Sequence, residues 1–230
     1  MMIVAFAVTF GIGAGEMAHA PAQGKKMPKN YRMVPMKDAQ ILQDGPAKMF
    51  CVKCGMTLPM FYRTNHAAKV DGKMEQFCSI HCLAEEMASG KKVEDIRVVD
   101  NVTLKFIPVE KAWYVVGSSK PGTMSKVSKY AFGDEKAARA FAKENGGKVM
   151  TYGETMAIVK KNLEKESAMI AKKQAMMAKK GEEIYKKLCK PIEEKFSSAA
   201  EAKAYIRSSG ACGDLKGKQL QAVGLYLKSR

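Results

Sequence analysis

Apolar and polar positions change period several times along this chain, and each change marks an element. Strand-like runs flank Asp71-Gly72, with the aromatic segment 61–70 on one side and 73–78 on the other. An Asp-Gly pair between such runs predicts a tight hairpin. Ser79 stands where a helix N-cap belongs, helical spacing follows to about Met87, and Gly90 is the stop. Strand-like runs return at 96–99, 102–107, 113–116 and 128–132. Asp134 then caps a helix over 135–145, Gly146-Gly147 ends it, and a last strand covers 148–152. The pattern is strand-turn-strand-helix, twice, which predicts an α+β body of two similar halves.

Beyond Glu154 the period becomes helical and stays so. Met156, Val159, Leu163, Ile170 and Met177 fall on one face, spaced 3, 4, 7 and 7 residues apart. Met169, Met176 and Met177 could offer thioethers to a soft metal, but packing accounts for methionines on such a helix, and they are assigned to it. A small helical tail follows, with a capped helix around 198–208 and an amphipathic one carrying Leu220, Val223 and Leu227. At the other end, 1–15 is apolar and uncharged, and Ala18-His19-Ala20 follows as a small-x-small cleavage pattern, so 1–20 reads as a signal peptide or N-terminal anchor. The run is too short to span a bilayer comfortably. Residues 21–48 show no period and read as an extended linker. The expected division is therefore 1–20, 21–48, an α+β domain over 49–155, a connecting helix over 156–180 and a separate helical domain over 181–230.

Composition narrows the function. The 230 residues are 47% hydrophobic and 27% charged, with a net charge of +16. Aromatics are not interleaved with the basic runs, so the lysines read as solvated helix faces, available to an acidic partner or membrane complex, and no nucleic-acid partner is expected. No Ser/His/Asp set, paired acid site or phosphate loop occurs, and the three histidines leave little for acid–base catalysis. A carrier or binding protein is expected, not an enzyme. Export to the periplasm, the consequence of a signal peptide, would oxidise unprotected neighbouring thiols. Cys189 and Cys212 are expected to pair there.

The chemistry lies in two cysteine brackets, Cys51-Val52-Lys53-Cys54-Gly55-Met56 and Cys78-Ser79-Ile80-His81-Cys82. Thiolates and thioethers select Cu(I), zinc or iron–sulfur chemistry. Four converging thiolates suit tetrahedral zinc, whereas thiolates with a thioether at low coordination suit Cu(I). Two structural disulfides are the bland alternative, and a thiol–disulfide reductase built on Cys51 and Cys54 is a further one. Cys78 and Cys82 flank the start of a helix, where its dipole lowers a thiol pKa. His81 is a candidate ligand between them; His66 is expected to face solvent from a strand.

Cys51-x-x-Cys54-Gly55-Met56, the aromatic hairpin, Val98-Val99-Asp100, Ala112-Trp113-Tyr114-Val115, Pro121-Gly122-Thr123-Met124, Tyr130-Ala131-Phe132 and the segment ending in Gly146-Gly147 together resemble the NosL family of nitrous oxide reductase accessory proteins, over about residues 48 to 155. The resemblance implies an exported Cu(I) metallochaperone with a two-part fold similar to organomercurial lyase. Its implied partners are nitrous oxide reductase or the membrane complex that loads it; membrane association through the N-terminus is instead what the 1–20 segment would give if retained as an anchor. It implies Cys54 and Met124 as copper ligands, with Cys51 and Met56 as close seconds. The Cys78/Cys82 bracket exceeds what the family needs, and leaves open a sulfur-rich copper site or a separate zinc site; the rival to the copper reading is a zinc-binding interaction module using all four cysteines. No cysteine precedes Cys51, so the lipid anchor common in the family is not indicated. The tail, from Gly181-x-x-Ile184-Tyr185 to Gln221-Ala222-Val223, resembles the outer helices of small c-type cytochromes. Cys189-Lys190-Pro191-Ile192-Glu193 lacks the second cysteine and the histidine of a haem attachment motif, so no haem is expected.

Overall fold

Asp71 and Gly72 take left-handed backbone, with φ of 47° and 82°. They join strands β1 (His66–Val70) and β2 (Lys73–Phe77) with Val70 opposite Lys73. The Ser79 hydroxyl accepts the Cys82 amide and starts α1 (Ile80–Met87). The chain returns as β3 (Val93–Val99) on the other side of β1, and β4 (Phe106–Pro108) adds to the edge, giving an antiparallel sheet in the order β2-β1-β3-β4. This computed structural model describes residues 30–230; the expected signal segment lies outside the described residues.

The second half repeats the first in topology. Strands β5 (Trp113–Val116) and β6 (Lys129–Phe132) pair, α2 (Glu135–Asn145) follows under its Asp134 cap, and β7 (Lys148–Thr151) returns beside β5. The order is β6-β5-β7, so in both halves the first strand is central. The α+β class and the two-half architecture are as the sequence predicts. A parallel bridge between Asp100 and Ala131 joins the halves, reinforced by the Asp100 carboxylate accepting the Gly133 amide.

Two predicted strand segments take other forms. Residues Leu58–Thr64 are 3₁₀-helical, which turns Tyr62 into the core beside Val34 and Val99, its hydroxyl donating to the Leu104 carbonyl. Residues 102–105 form a turn because the Asp100 carboxylate captures the Val102 and Thr103 amides.

The expected breaks at 48/49 and 180/181 fall inside continuous structure. In the described part of the supposed linker, Val34 is buried, and buried Gln43 donates to the Lys48 and Phe50 carbonyls while accepting the Gln76 amide. Non-periodic sequence here is a strap held by single anchors. Helix α3 (Tyr152–Leu188) starts from a Thr151/Glu154 capping box and runs without a break through 180/181. Helices α4 (Ala199–Ser209) and α5 (Gly217–Ser229) pack on each other, with α5 lying along α3. Their core of Ile206, Leu220, Val223 and Leu227 also contains Phe50, so the tail is docked on the first half. Cys189 and Cys212 form the expected disulfide. No helix among the described residues is long and apolar enough to cross a membrane.

Candidate metal centre

The first cysteine bracket is a closed loop. The Gly55 amide donates to the Cys51 carbonyl and the Cys51 amide to the Met56 carbonyl, both at 2.8 Å. Gly55 has a φ of +72°, and a Cβ there would lie 2.8 Å from the Ala199 Cβ on α4, so both the turn and the docked tail require glycine. The second bracket places Cys78 at the end of β2 and Cys82 in the first turn of α1.

These elements bring four sulfurs together. Cys54 Sγ lies 3.4 Å from Cys78 Sγ, Cys78 Sγ lies 3.7 Å from Cys82 Sγ, and all four, Cys51 included, lie within 4.8 Å of one another. A tetrahedral ion with thiolate bonds of about 2.3 Å would hold its sulfurs about 3.8 Å apart, so the set fits around one ion with small adjustment. All four are free thiols and buried; Cys54 alone keeps 4% of its surface.

Crowding divides the thiols electrostatically. Burial would raise Cys51, but hydrogen bonds from Cys54, Cys78 and Cys82 favour its thiolate and bring it well below the ordinary thiol value. Cys78 and Cys82 go the other way. Donating to Cys51 and Cys54 holds the Cys78 proton, Cys82 donates likewise, and burial adds to both. The lowering expected for Cys78 and Cys82 at the helix start is not met, since hydrogen bonds to Cys51 and Cys54 together with burial raise both. Buried Lys203 on α4 donates to the Gly55 carbonyl at 2.6 Å and to Gln221 Oε1 at 2.8 Å. Its burial pushes its pKa down to about 7, with Cys54 pulling the other way.

Met124 sits across from this cluster in a strained loop. It has a φ of 57°, uncommon for a side-chain-bearing residue, at a cost of about 1–2 kcal/mol that the surroundings must offset. They do. Arg32 donates to the Gly122 carbonyl, the Ser125 hydroxyl to Glu166 on α3, and the Thr123 hydroxyl lies 2.9 Å from that of Thr64. Thr64 in turn lies 2.8 Å from the Cys78 carbonyl, which links the Met124 loop to the thiol bracket. Cys54, Met56 and Met124 line one cavity of about 290 Å³, with Met169 and Met177 of α3 on its other wall. Met169 and Met177, assigned to packing from the sequence, also border this cavity opposite Cys54. Met176 is 59% exposed, as its place on the helix dictates.

Two histidine expectations are also corrected. His81 is not among the thiols; its Nε2 lies 3.4 Å from Glu85 and its Nδ1 3.4 Å from Glu166. One residue along a helix rotates a side chain by about 100° from Cys82, which turns His81 onto α3. His66 is buried, 2.9 Å from the Tyr114 hydroxyl, and burial lowers its pKa to about 4. The tail residues Lys203 and Gln221, the latter's amide donating to the Cys54 carbonyl at 2.9 Å, reach the site only through the docking of the tail, which no local sequence spacing marks.

A buried set of four thiols, reached through one of them from a thioether-lined cavity, marks a two-unit α+β domain suited to a soft metal ion. Residues 46–159 match the family described as NosL, and the chain belongs to that family through this domain. A similar solved structure is the copper chaperone NosL from Shewanella denitrificans, at 25% identity over 50% of this chain and 96% of that one, with a TM-score of 0.39. No curated protein matches the chain. Most of α3 and the whole tail lie beyond the matched residues.

Proposed function

We propose that this protein is a Cu(I) carrier that acts outside the cytoplasm and delivers copper for the maturation of nitrous oxide reductase. The observation that carries the copper reading is the donor set. Four thiols converge, and the one with residual exposure, Cys54, opens onto the thioethers of Met56 and Met124. Thioethers are soft, neutral donors that favour Cu(I). Membership of the NosL family supports a non-catalytic role, and the resemblance implies the reductase as client. Copper is cargo here. A carrier needs ligands that a partner can reach, and Cys54 with Met124 supplies them at the cavity while Cys51, Cys78 and Cys82 lie deeper. Some of the lysine-rich surface serves docking on an acidic partner or membrane complex, and that docking would weaken with ionic strength.

Full burial of three thiols favours one rival specifically, a closed structural zinc site made of all four cysteines. Anaerobic competition separates the two. The reduced protein, titrated with Cu(I) in the presence of bicinchoninate and a zinc excess, is expected to retain Cu(I) and pass it to copper-free nitrous oxide reductase. Retention of zinc with no Cu(I) affinity would defeat the carrier reading.

A further inference from the structure

Met169 and Met177 lie eight residues apart on one face of α3, outside the residues that match the NosL family, and both line the cavity that Cys54, Met56 and Met124 share. Methionine used as filler closes gaps. Here four thioethers border volume that stays open, about 290 Å³, and the rest of the wall mixes the apolar Ile170 and Leu225 with polar side chains such as Gln174 and Gln221. The α3 wall is also fixed relative to the Met124 loop, because the Ser125 hydroxyl donates to Glu166 at 2.6 Å.

We propose that Met169 and Met177, with Met56 and Met124, form a thioether receiving site for Cu(I) in front of Cys54, through which cargo reaches and leaves the thiol cluster. This deepens the carrier reading and rests on it. Thioethers hold Cu(I) less firmly than thiolates, so the ion moves inward when Cys54 becomes a ligand. Copper stays monovalent throughout. Each thioether bond that breaks is replaced by a thiolate bond, and the thiol proton leaves to water in the cavity. Lys126 and Lys173 line the same cavity, so they attract copper presented as an anionic complex and, once the thioethers have displaced the departing anionic ligand, favour passage of the cation onward to the thiolate of Cys54.

The test uses the full-length reduced protein with ¹³C-labelled methionine methyl groups and Cu(I) supplied as its anionic bicinchoninate complex. Expected are shifts of the Met169 and Met177 methyl resonances on copper addition, with the Met176 methyl as an unmoved control. Met169→Leu and Met177→Leu combined, which conserve volume, are expected to leave thiol-bound copper at the wild-type amount while slowing its transfer from and to the chelator. Copper on the thiols with unmoved Met169 and Met177 methyls, or a double variant that transfers at the wild-type rate, would overturn the proposal and leave the carrier reading standing. A wild-type protein that retains no Cu(I) would remove both.

Discussion

The side-chain amide of Gln221 hydrogen-bonds to the carbonyl oxygen of Cys54 at 2.9 Å, reaching from the last helix back to the first cysteine bracket. Lys203 does the same to Gly55. The helical tail therefore buttresses the backbone that carries the least buried of the four thiols. Gly55 is where this contact is tightest, since alanine there meets both a left-handed φ and the Ala199 Cβ. Gly55→Ala is expected to cost about 1–3 kcal/mol in thermal or urea unfolding and to speed copper loss. Unchanged stability and copper retention would mean that the tail merely lies beside the site.

Met124 offers a substitution that separates ligand from fold. Its φ of 57° is favourable for glycine, so Met124→Gly removes the thioether while relieving the backbone, at the cost of some apolar contact. The melting temperature is expected to fall little, and Cu(I) affinity in a chelator competition to fall clearly. Wild-type affinity in a folded Met124→Gly protein would exclude Met124 as a ligand.

Reduced, metal-free protein is expected to have a stability maximum in pH. Cys51 lies below the ordinary thiol value of about 9 in the folded state, so the unfolded chain holds the extra proton in that window and stability rises with pH. Lys203, at about 7 when folded, acts in the same direction from there upward. Above pH 9 the unfolded chain loses the protons that Cys78 and Cys82 retain, and two thiols outweigh one lysine, so stability falls. Urea midpoints between about pH 7 and about pH 10 should rise and then decline, and Cu(I) loading should remove the decline because bound thiolates no longer titrate. A monotonic profile in the metal-free protein would contradict the crowded-thiol account.

What could be read from sequence was chemistry acting over a few residues. The Asp71-Gly72 turn, the Ser79 and Asp134 caps, and the two cysteine brackets each declare themselves locally, and helix α2 has its expected bounds. Contacts set by placement in space were not readable. Val34 and Gln43 anchor the strap without any period, and Asp100 turns an apparent strand by capturing amides. Met169 and Met177 look like a packing stripe until the fold sets them across a cavity from Cys54. His81 was within reach of sequence reasoning, since its helical phase relative to Cys82 already directs it elsewhere.

The most direct test is the Cu(I) K-edge absorption spectrum of the loaded, reduced protein beside its Cys54→Ser and Met124→Leu variants. The account predicts sulfur-only coordination of monovalent copper in the wild type and altered spectra in both variants, with the larger loss of bound copper in Cys54→Ser. A reduced wild-type protein that gives no copper-edge signal after desalting, or one whose spectrum is the same in both variants, would contradict it.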